Sequence, residues 1–215
     1  MGNCMATLKA LLKKLRRRIF PKRAVDAFNN ALIWLKRGDT AIDCGANVGN
    51  FTLAMAATGA TVHAFEPDPV AFEKLKERTA GLKNVKLYNA AVSNEVGSGR
   101  LYLHEDRGQD PLAKSVASSL VATKTNVNTE TFVSVELVRL SDFVTALGVI
   151  KVLKMDIEGH EIEVLNDMID TGAIRNIKTA FVELHDRKNP QLAGATQLLR
   201  ERIRATGVNF DLTWH

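Results

Sequence analysis

The sequence predicts an α/β domain with a doubly wound, mostly parallel sheet. Short apolar segments alternate with helical segments of about ten residues from residue 38 onward, which is typical of parallel sheets with crossover helices. Of the 215 residues, 46% are hydrophobic and 25% are charged, which is ordinary for a globular domain. A polar stretch over residues 93–131 interrupts the alternation, and we interpret it as a β-hairpin and loop insertion before the fourth strand.

The N-terminal segment is predicted to form a short basic amphipathic helix. Its apolar residues recur at helical spacing, and Pro21 ends the pattern. They are Leu8, Leu11, Leu12, Leu15 and Ile19. A second helix is predicted over residues 25–36, so we divide the chain into an N-terminal part, 1–37, and an α/β domain, 38–215.

The positive charge is concentrated in that N-terminal segment. The chain has a net charge of +5, but residues 1–23 hold eight Lys and Arg and no acid, while residues 24–215 hold 21 basic and 24 acidic residues. The basic isoelectric point therefore does not indicate a nucleic-acid-binding domain. Three interpretations of the basic helix stay open: packing on the domain, contact with an anionic membrane through residues 8–19, or binding of an acidic partner.

The first half of the domain is predicted to contain three strands and two helices. Strands are predicted at Thr40–Asp43, Thr61–Phe65 and Val85–Tyr88, with helices at Val48–Ala57 and Pro69–Ala80 between them. Their spacing is that of consecutive βα units.

The insertion and the second half follow. Short β segments at Arg100–Leu103 and Phe132–Leu137 form the predicted hairpin, and the loop 106–131 is expected to shape an acceptor pocket. The remaining predicted elements are a helix at Ser141–Leu147 with Ser141 as its N-cap, a strand at Val149–Met155, a helix ending at Ile169, a strand at Thr179–Leu184, a helix at Gln191–Thr206 and a strand at Val208–Trp214.

Cysteine usage and hydropathy favour a cytoplasmic protein. Cys44 lies in an apolar strand and a disulfide to Cys4 is not expected, which indicates a reducing compartment. No stretch reaches the roughly 18–20 apolar residues of a membrane span, and no signal peptide is recognised.

The turn after the first strand carries the sharpest functional signal. Gly45 and Gly49 are spaced G-x-x-x-G between a strand and a helix, and Glu66 ends the second strand, where a carboxylate can accept both ribose hydroxyls. A dinucleotide site needs G-x-G-x-x-G, whereas this turn offers Asp43 and Asn47. Those side chains suit a nucleoside ligand with a cationic amino-acid tail and no phosphate, which describes S-adenosylmethionine.

At these residues the sequence resembles the class I S-adenosylmethionine-dependent methyltransferases, and more narrowly the FkbM family, over about residues 38–187. The motifs that carry the resemblance are Ile42-Asp43-Cys44-Gly45-Ala46-Asn47-Val48-Gly49, Phe65-Glu66-Pro67, Asn89-Ala90-Ala91-Val92-Ser93, Ser118-Ser119-Leu120 and Leu153-Lys154-Met155-Asp156-Ile157-Glu158-Gly159-His160-Glu161. The resemblance implies a Rossmann-like sheet and methyl transfer to a hydroxyl of a small molecule or glycan.

The resemblance also implies which residues bind the cofactor. Asp43, Gly45, Asn47 and Gly49 would surround its methionine part. Glu66 would hold the ribose, and Asn89 and Ala90 would flank the adenine.

Candidate acceptor-side residues follow two neighbouring strands. Asp156, Glu158 and His160 follow one strand and His185 follows the next, and in open α/β sheets ligands bind at the carboxyl ends of the strands. An alcohol is a poor nucleophile until it is deprotonated, so Asp156, His160 or His185 is expected to serve as the base. We interpret His63 and His104 as structural.

Several alternatives remain open. The spacing requires no metal, although Asp156, Glu183 and His185 offer ligands that a divalent ion could use. An RNA 2′-hydroxyl ranks second as acceptor, because acids at the strand ends repel a phosphate backbone. A non-catalytic cofactor-binding module ranks third. The chain ends soon after Trp214, so the seventh, antiparallel strand implied by the resemblance is not expected, and a homodimer could cover that sheet edge.

Overall fold

The computed structural model describes residues 22–104, 119–120, 127–186 and 190–212. The predicted basic helix over residues 8–19 and most of the loop 106–131 lie outside the described residues, as do Cys4 and Trp214. The described helices and strands are α1 (Lys22–Trp34), β1 (Thr40–Cys44), α2 (Asn50–Ala56), β2 (Thr61–Phe65), α3 (Pro69–Thr79), β3 (Val85–Tyr88), β4 (Ala90–Ser93), β5 (Gly97–His104), β6 (Val127–Arg139), α4 (Leu140–Leu147), β7 (Val152–Met155), α5 (Glu161–Asp170), β8 (Ala180–Val182), α6 (Ala193–Thr206) and β9 (Phe210–Asp211). Two short 3₁₀ helices lie at Ala173–Asn176 and Pro190–Leu192.

The central sheet has six strands in the order β3-β2-β1-β7-β8-β9, and every neighbouring pair is parallel. This confirms the predicted doubly wound α/β fold. The order reverses direction between β1 and β7, so the crevice outside the carboxyl ends of these two strands is the place where such sheets bind ligands. The βα turn after β1 and the loop after β7 both open into that crevice.

Both faces of the sheet are buried, as expected for parallel strands. On one face Ala41 and Val62 pack against Phe28 and Leu32 of α1 and against Met55 of α2. On the other face, alternate residues of the same strands pack against α4, α5 and α6. Cys44 is fully buried on that second face and is a free thiol, as its apolar setting predicted.

The insertion forms a second sheet of three strands in the order β4-β6-β5. β5 and β6 pair antiparallel, which confirms the predicted hairpin, and both strands are longer than predicted. β6 begins at Val127, so residues 127–131 belong to a strand and not to the predicted loop. β4 was not predicted: it follows β3 after the single residue Asn89 and pairs parallel with β6.

The start of α4 corrects one prediction. Ser141 is not the N-cap, because the helix begins at Leu140 and Arg139 occupies the N-cap position. The Ser141 hydroxyl instead donates a hydrogen bond to the Asp167 carboxylate of α5, which Arg139 also binds. The side chain therefore ties two helices together.

The C-terminal strand is shorter than predicted. β9 spans Phe210–Asp211, at the edge of the sheet beside β8, and the two strands run parallel. Among the described residues the central sheet contains no antiparallel strand. Within the same residues, no helix has the length and apolar character needed to cross a membrane.

Candidate active site

The turn after β1 depends on a glycine at residue 45. Gly45 has a φ of +74°, and a Cβ atom added there would lie 1.9 Å from the carbonyl oxygen of Asp156. The turn therefore touches the end of β7, and only glycine allows that approach. Gly49 is also constrained, because a Cβ there would lie 2.5 Å from Leu75 of α3.

The main-chain N–H groups of this turn have partners within the protein. Gly45 and Ala46 both donate to the carbonyl oxygen of Phe65, at 3.0 and 2.9 Å, and Asn47 donates to Glu66 Oε2 at 2.7 Å. Phosphate-binding loops direct such groups at the ligand. The geometry therefore agrees with the sequence-based exclusion of a pyrophosphate site.

Glu66 is buried at the end of β2. Its Oε1 accepts a hydrogen bond from the Asp68 amide at 2.8 Å, while Oε2 accepts the Asn47 amide. Burial raises its pKa to about 8, although these two N–H groups favour the ionised form. The carboxylate thus joins the turn after β1 to the turn after β2 at the base of a cavity.

A cavity lies between these turns, the loop after β7 and the second sheet. Its wall contains six of the residues predicted from the sequence: Gly45, Asn47, Glu66, Ala90, Asp156 and Glu158. Three predicted cofactor residues, Asp43, Gly49 and Asn89, do not line it. The Asn89 side chain instead donates to the carbonyl oxygens of Glu66 and Pro67, at 2.8 and 3.3 Å, and so fixes that turn from outside.

Asp43 lies beneath the cavity in a buried ionic cluster. Its Oδ2 accepts the Thr52 hydroxyl at 2.6 Å, and its Oδ1 lies 3.4 Å from Nζ of Lys154. Burial alone would lower the pKa of Lys154, but the carboxylates of Asp43 and Asp156 raise it, so the side chain stays an ammonium. Its Nζ also donates to the carbonyl oxygen of Gly45 at 2.6 Å.

Asp156 and Glu158 reach the cavity from the loop after β7. Glu158 has a φ of +60°, a left-handed conformation that is rare for a residue other than glycine. Burial raises the pKa of Asp156 to about 7, and the Lys154 ammonium 3.9 Å away partly offsets this.

His185 is buried directly behind these two carboxylates. Its Nε2 lies 3.3 Å from Glu158 and 3.7 Å from Asp156, and its Nδ1 lies 3.1 Å from Glu161. Burial alone would lower the pKa of His185, but the carboxylates of Glu158 and Glu161 raise it to about 10. The prediction that residues from two neighbouring strand ends meet is confirmed for Asp156, Glu158 and His185.

His160 is not brought into the cavity wall. Its Nε2 lies 3.2 Å from the Ser93 hydroxyl of β4, and its Nδ1 lies 3.6 Å from Glu163. Neither contact places the ring against Asp156 or His185. His63 has the structural role expected of it: its Nδ1 lies 2.9 Å from the Tyr88 hydroxyl, and burial lowers its pKa to about 4.

Sequence reasoning missed parts of the site that come from the sheet interior and the insertion. Lys154 is one of these residues, although a lysine in the apolar strand β7 is itself a signal of a buried ionic contact. Phe65, Leu101 and Leu120 add an apolar wall to the cavity. Leu101 belongs to β5, whose position over the crevice depends on its pairing with a strand about 30 residues further along.

Comparisons with known proteins point to one family. A family model described as a methyltransferase FkbM domain matches residues 43–207. The curated relatives include 31-O-demethyl-FK506 methyltransferase FkbM of Streptomyces tacrolimicus, 31% identical over 180 residues, with 71% of this chain and 67% of that protein covered. Hexuronic acid methyltransferase AglP of Haloferax volcanii is 30% identical over 173 residues, covering 79% and 65%. The 2-O-methyltransferase NoeI of Sinorhizobium fredii is 26% identical over 174 residues, covering 75% and 69%.

The matches cover only part of each relative. They span about two thirds of the length of the curated relatives. No solved structure matches the chain significantly.

Proposed function

Since the chain belongs to the FkbM methyltransferase family, we propose that it is an S-adenosylmethionine-dependent O-methyltransferase whose acceptor is a hydroxyl of a small molecule or glycan. One observation carries the proposal: a single cavity joins the glycine turn and Glu66 at one end to Asp156 and Glu158 at the other. Methyl transfer needs the binding site of the methyl donor next to the binding site of the acceptor, because the acceptor oxygen must approach the methyl group in line.

The residues at the first end fit S-adenosylmethionine. Gly45 and Asn47 would border its methionine part, Glu66 would accept the ribose hydroxyls, and Ala90 would lie against the adenine. The turn directs no main-chain N–H of Gly45, Ala46 or Asn47 into the cavity, which suits a ligand without phosphate. When bound, the cofactor supplies a methyl group on a sulfonium that is already electrophilic.

In this proposal Asp43, Gly49 and Asn89 act indirectly. Asp43 holds Lys154, and Lys154 holds the carbonyl group of Gly45. Gly49 lets α2 begin against Leu75, and Asn89 fixes the turn that carries Glu66. These three are therefore positioning residues rather than ligand contacts.

At the second end, the carboxylates of Asp156 and Glu158 would receive the acceptor hydroxyl. The hydroxyl oxygen would bond to the methyl carbon as the bond from that carbon to the sulfonium sulfur breaks and the neutral thioether leaves, and its proton would pass to a carboxylate, for which we propose Asp156. His185 lies behind both carboxylates and fixes their orientation. His160, which contacts Ser93, is assigned no part in the transfer.

Two observations support a hydroxyl of a small molecule or glycan as the methyl acceptor: the names of the relatives and the carboxylates at the cavity. The names of the relatives specify 31-O-demethyl-FK506, a hexuronic acid and a 2-O position, and two of the three name an oxygen as the methylated atom. The concentration of carboxylates at the cavity disfavours a phosphodiester backbone, which also counts against the RNA alternative.

A labelled-methyl transfer screen tests this function. Wild-type protein and Asp156→Asn are incubated with methyl-labelled S-adenosylmethionine and with glycans, small polyols or structured RNA. We expect label on a glycan or small-molecule hydroxyl, reduced at least 100-fold by Asp156→Asn. Label only on RNA, or no S-adenosylmethionine binding by calorimetry, would overturn the proposal.

We also propose that the enzyme works at the cytoplasmic face of an anionic membrane. Ile33 and Trp34 at the end of α1 are 72% and 74% exposed, and they follow the basic segment 1–23. Exposed Trp beside basic residues is typical of membrane-surface contacts.

Vesicle sedimentation tests the membrane proposal. Wild type should sediment with phosphatidylserine-containing vesicles but not with pure phosphatidylcholine, and the double change Ile33→Ser and Trp34→Ser should reduce sedimentation several-fold. Leu198→Ser is the matched control, since Leu198 is 60% exposed on α6. Equal sedimentation of all three proteins would refute the assignment.

A further inference from the structure

We propose that Ser119 is a positioning residue for methyl transfer: its hydroxyl holds the main chain of Glu158, so that the Glu158 carboxylate stays at the acceptor end of the cavity. Ser119 belongs to the Ser118-Ser119-Leu120 motif, which has no part in the function described so far. The effect on catalysis rests on the proposed function, because it requires Glu158 to receive the acceptor. The contact itself can be measured without any methyl transfer.

The second sheet sets the position of Ser119. The main-chain N–H of Ser119 donates to the carbonyl oxygen of Tyr102 at 3.0 Å, and its carbonyl oxygen accepts the Tyr102 N–H at 2.9 Å. This exchange of two hydrogen bonds is an antiparallel bridge to β5. Because both main-chain groups are bound to a strand, the Ser119 side chain leaves the sheet in a defined direction.

The Ser119 side chain connects the second sheet to the loop after β7. Its hydroxyl donates a hydrogen bond to the main-chain carbonyl oxygen of Glu158 at 2.7 Å, across 39 residues of sequence. Ser119 is 1% exposed, and both residues belong to the cavity wall. Loss of a buried donor is costly, because water does not readily replace the hydrogen bond.

The hydrogen bond supports a backbone conformation that is costly for a residue with a side chain. Glu158 has a φ of +60°, and such a conformation persists only where the surrounding structure holds it. The peptide unit that follows Glu158 is held at both ends. Its carbonyl oxygen accepts the Ser119 hydroxyl, and its N–H, which belongs to Gly159, donates to Glu161 at 3.0 Å. Rotation of this unit would break both hydrogen bonds.

The backbone conformation of Glu158 decides where its carboxylate lies. Oε2 of Glu158 is 3.3 Å from Nε2 of His185, and the residue borders the cavity. A right-handed backbone at this residue would point the Cα–Cβ bond in another direction, so the carboxylate would leave both His185 and the acceptor end. The Ser119 hydroxyl therefore affects methyl transfer through the position of Glu158.

Steady-state kinetics of the full-length protein test this role. Ser119→Ala should lower kcat about 10-fold and raise KM for the acceptor, while the affinity for S-adenosylmethionine stays within about 2-fold. Ser119→Thr keeps the hydroxyl and should recover part of the lost kcat. Ser141→Ala is the matched control, since Ser141 is also 1% exposed and its hydroxyl also joins two elements. It should leave kcat and KM within about 2-fold.

A double-mutant cycle distinguishes positioning of Glu158 from a general structural role. Since Ser119 acts through the Glu158 carboxylate, Ser119→Ala should cause little further loss once Glu158→Gln has removed that carboxylate. The double variant and Glu158→Gln alone should therefore have the same kcat within about 2-fold. Losses that multiply in the double variant would overturn the inference, as would equal kinetic effects of Ser119→Ala and Ser141→Ala.

Amide hydrogen exchange tests the contact without an acceptor. The Gly159 N–H belongs to the supported peptide unit, so Ser119→Ala should speed its exchange about 10-fold or more by NMR, and Ser141→Ala should leave it unchanged. Unchanged exchange of this N–H in Ser119→Ala would overturn the inference. Faster exchange as expected, in a protein that methylates no hydroxyl, would refute the proposed function and leave the contact between Ser119 and Glu158 standing.

Discussion

The two ends of the cavity differ in how their polar groups are satisfied. At the glycine turn, the amides of Gly45, Ala46 and Asn47 all have partners within the protein. At the acidic end, Asp156, Glu158 and Glu183 converge on His185, and among the described residues Oδ1 of Asp156 and both ring nitrogens of His185 lack a hydrogen bond of good geometry. The first end is held by directional hydrogen bonds, whereas the second end is held by ion pairs of its carboxylates with His185 and Lys154. Main-chain geometry therefore fixes the cofactor end, and charge fixes the acceptor end.

The largest expected effect is on the contact that joins the two ends. Gly45→Ala would place a Cβ 1.9 Å from the carbonyl oxygen of Asp156, so β1 and β7 would have to separate. We expect a loss of several kcal/mol in the free energy of unfolding and at least 100-fold weaker binding of S-adenosylmethionine, measured by urea unfolding and calorimetry.

The matched control is Gly207→Ala. Gly207 has a similar φ of +71°, but nothing lies within 4 Å of an added Cβ. Only the backbone cost of about 1–2 kcal/mol is expected. Equal destabilisation by both changes would show that the close approach of the two strands does not matter.

The next effect comes from the cation between the two ends. Lys154→Met would leave Asp43 buried beside Thr52 without its ammonium partner, at a cost of about 3–5 kcal/mol. Thermal and urea unfolding would measure it, with the exposed Lys178→Met as the control.

A double change tests the cause of that loss. Adding Asp43→Asn to Lys154→Met removes the unpaired charge and should recover part of the stability. No recovery would mean that Lys154 contributes through its packing, including its position over the Phe51 ring, and not through its charge.

Two substitutions test which end of the cavity binds the cofactor and which end serves methyl transfer. Glu66→Ala should weaken S-adenosylmethionine binding about 10- to 100-fold, because the carboxylate that would hold the ribose is lost. His185→Ala should leave the cofactor affinity within about 2-fold and lower kcat. Calorimetry and initial rates measure both, and the opposite pattern would exchange the roles of the two ends.

The smallest effect is a pH dependence at the cofactor end. The pKa of Glu66 is about 8 in the folded protein against an ordinary value of 4.5, so the folded state binds this proton more tightly than the unfolded state. Its contribution to stability is therefore greatest below pH 4.5 and falls, by at most about 1.4 kcal/mol per pH unit, as the pH rises towards 8. Urea unfolding between pH 5 and 8 should show the stability of wild type falling relative to that of Glu66→Gln as the pH rises. A constant difference would contradict the shift.

The central sheet could be predicted largely from the sequence. The bounds of β2 and β3 were predicted correctly at both ends, because each is a short, β-rich segment between turn residues. β4 could not be predicted, since Ala90–Ser93 follows β3 directly and becomes a strand only by pairing with residues 136–139 of β6. Local patterns do not contain such a distant partner.

The site shows the same limit. Parallel strand ends placed Asp156 and His185 together correctly, because the neighbours of a strand in a doubly wound sheet follow from its topology. The direction of His160 depends instead on the left-handed backbone of Glu158 and on Gly159, with φ values of +60° and +111°. These conformations depend on the contact of Glu161 with the loop, which no residue spacing specifies.

The second sheet has a consequence for how such a protein can diversify. Its small core, formed by Ala91, Leu101, Leu103, Val135 and Leu137, is separate from the two large cores of the central sheet. Leu101 nevertheless faces the cavity. Substitutions in this sheet can thus recontour one wall of the cavity while the cofactor turn and its buried lysine stay as they are. The β5–β6 hairpin of this sheet is therefore the natural target for engineering a new methyl acceptor, whereas β4 carries Ala90, which is assigned to the cofactor, and Val92, which packs in the central core.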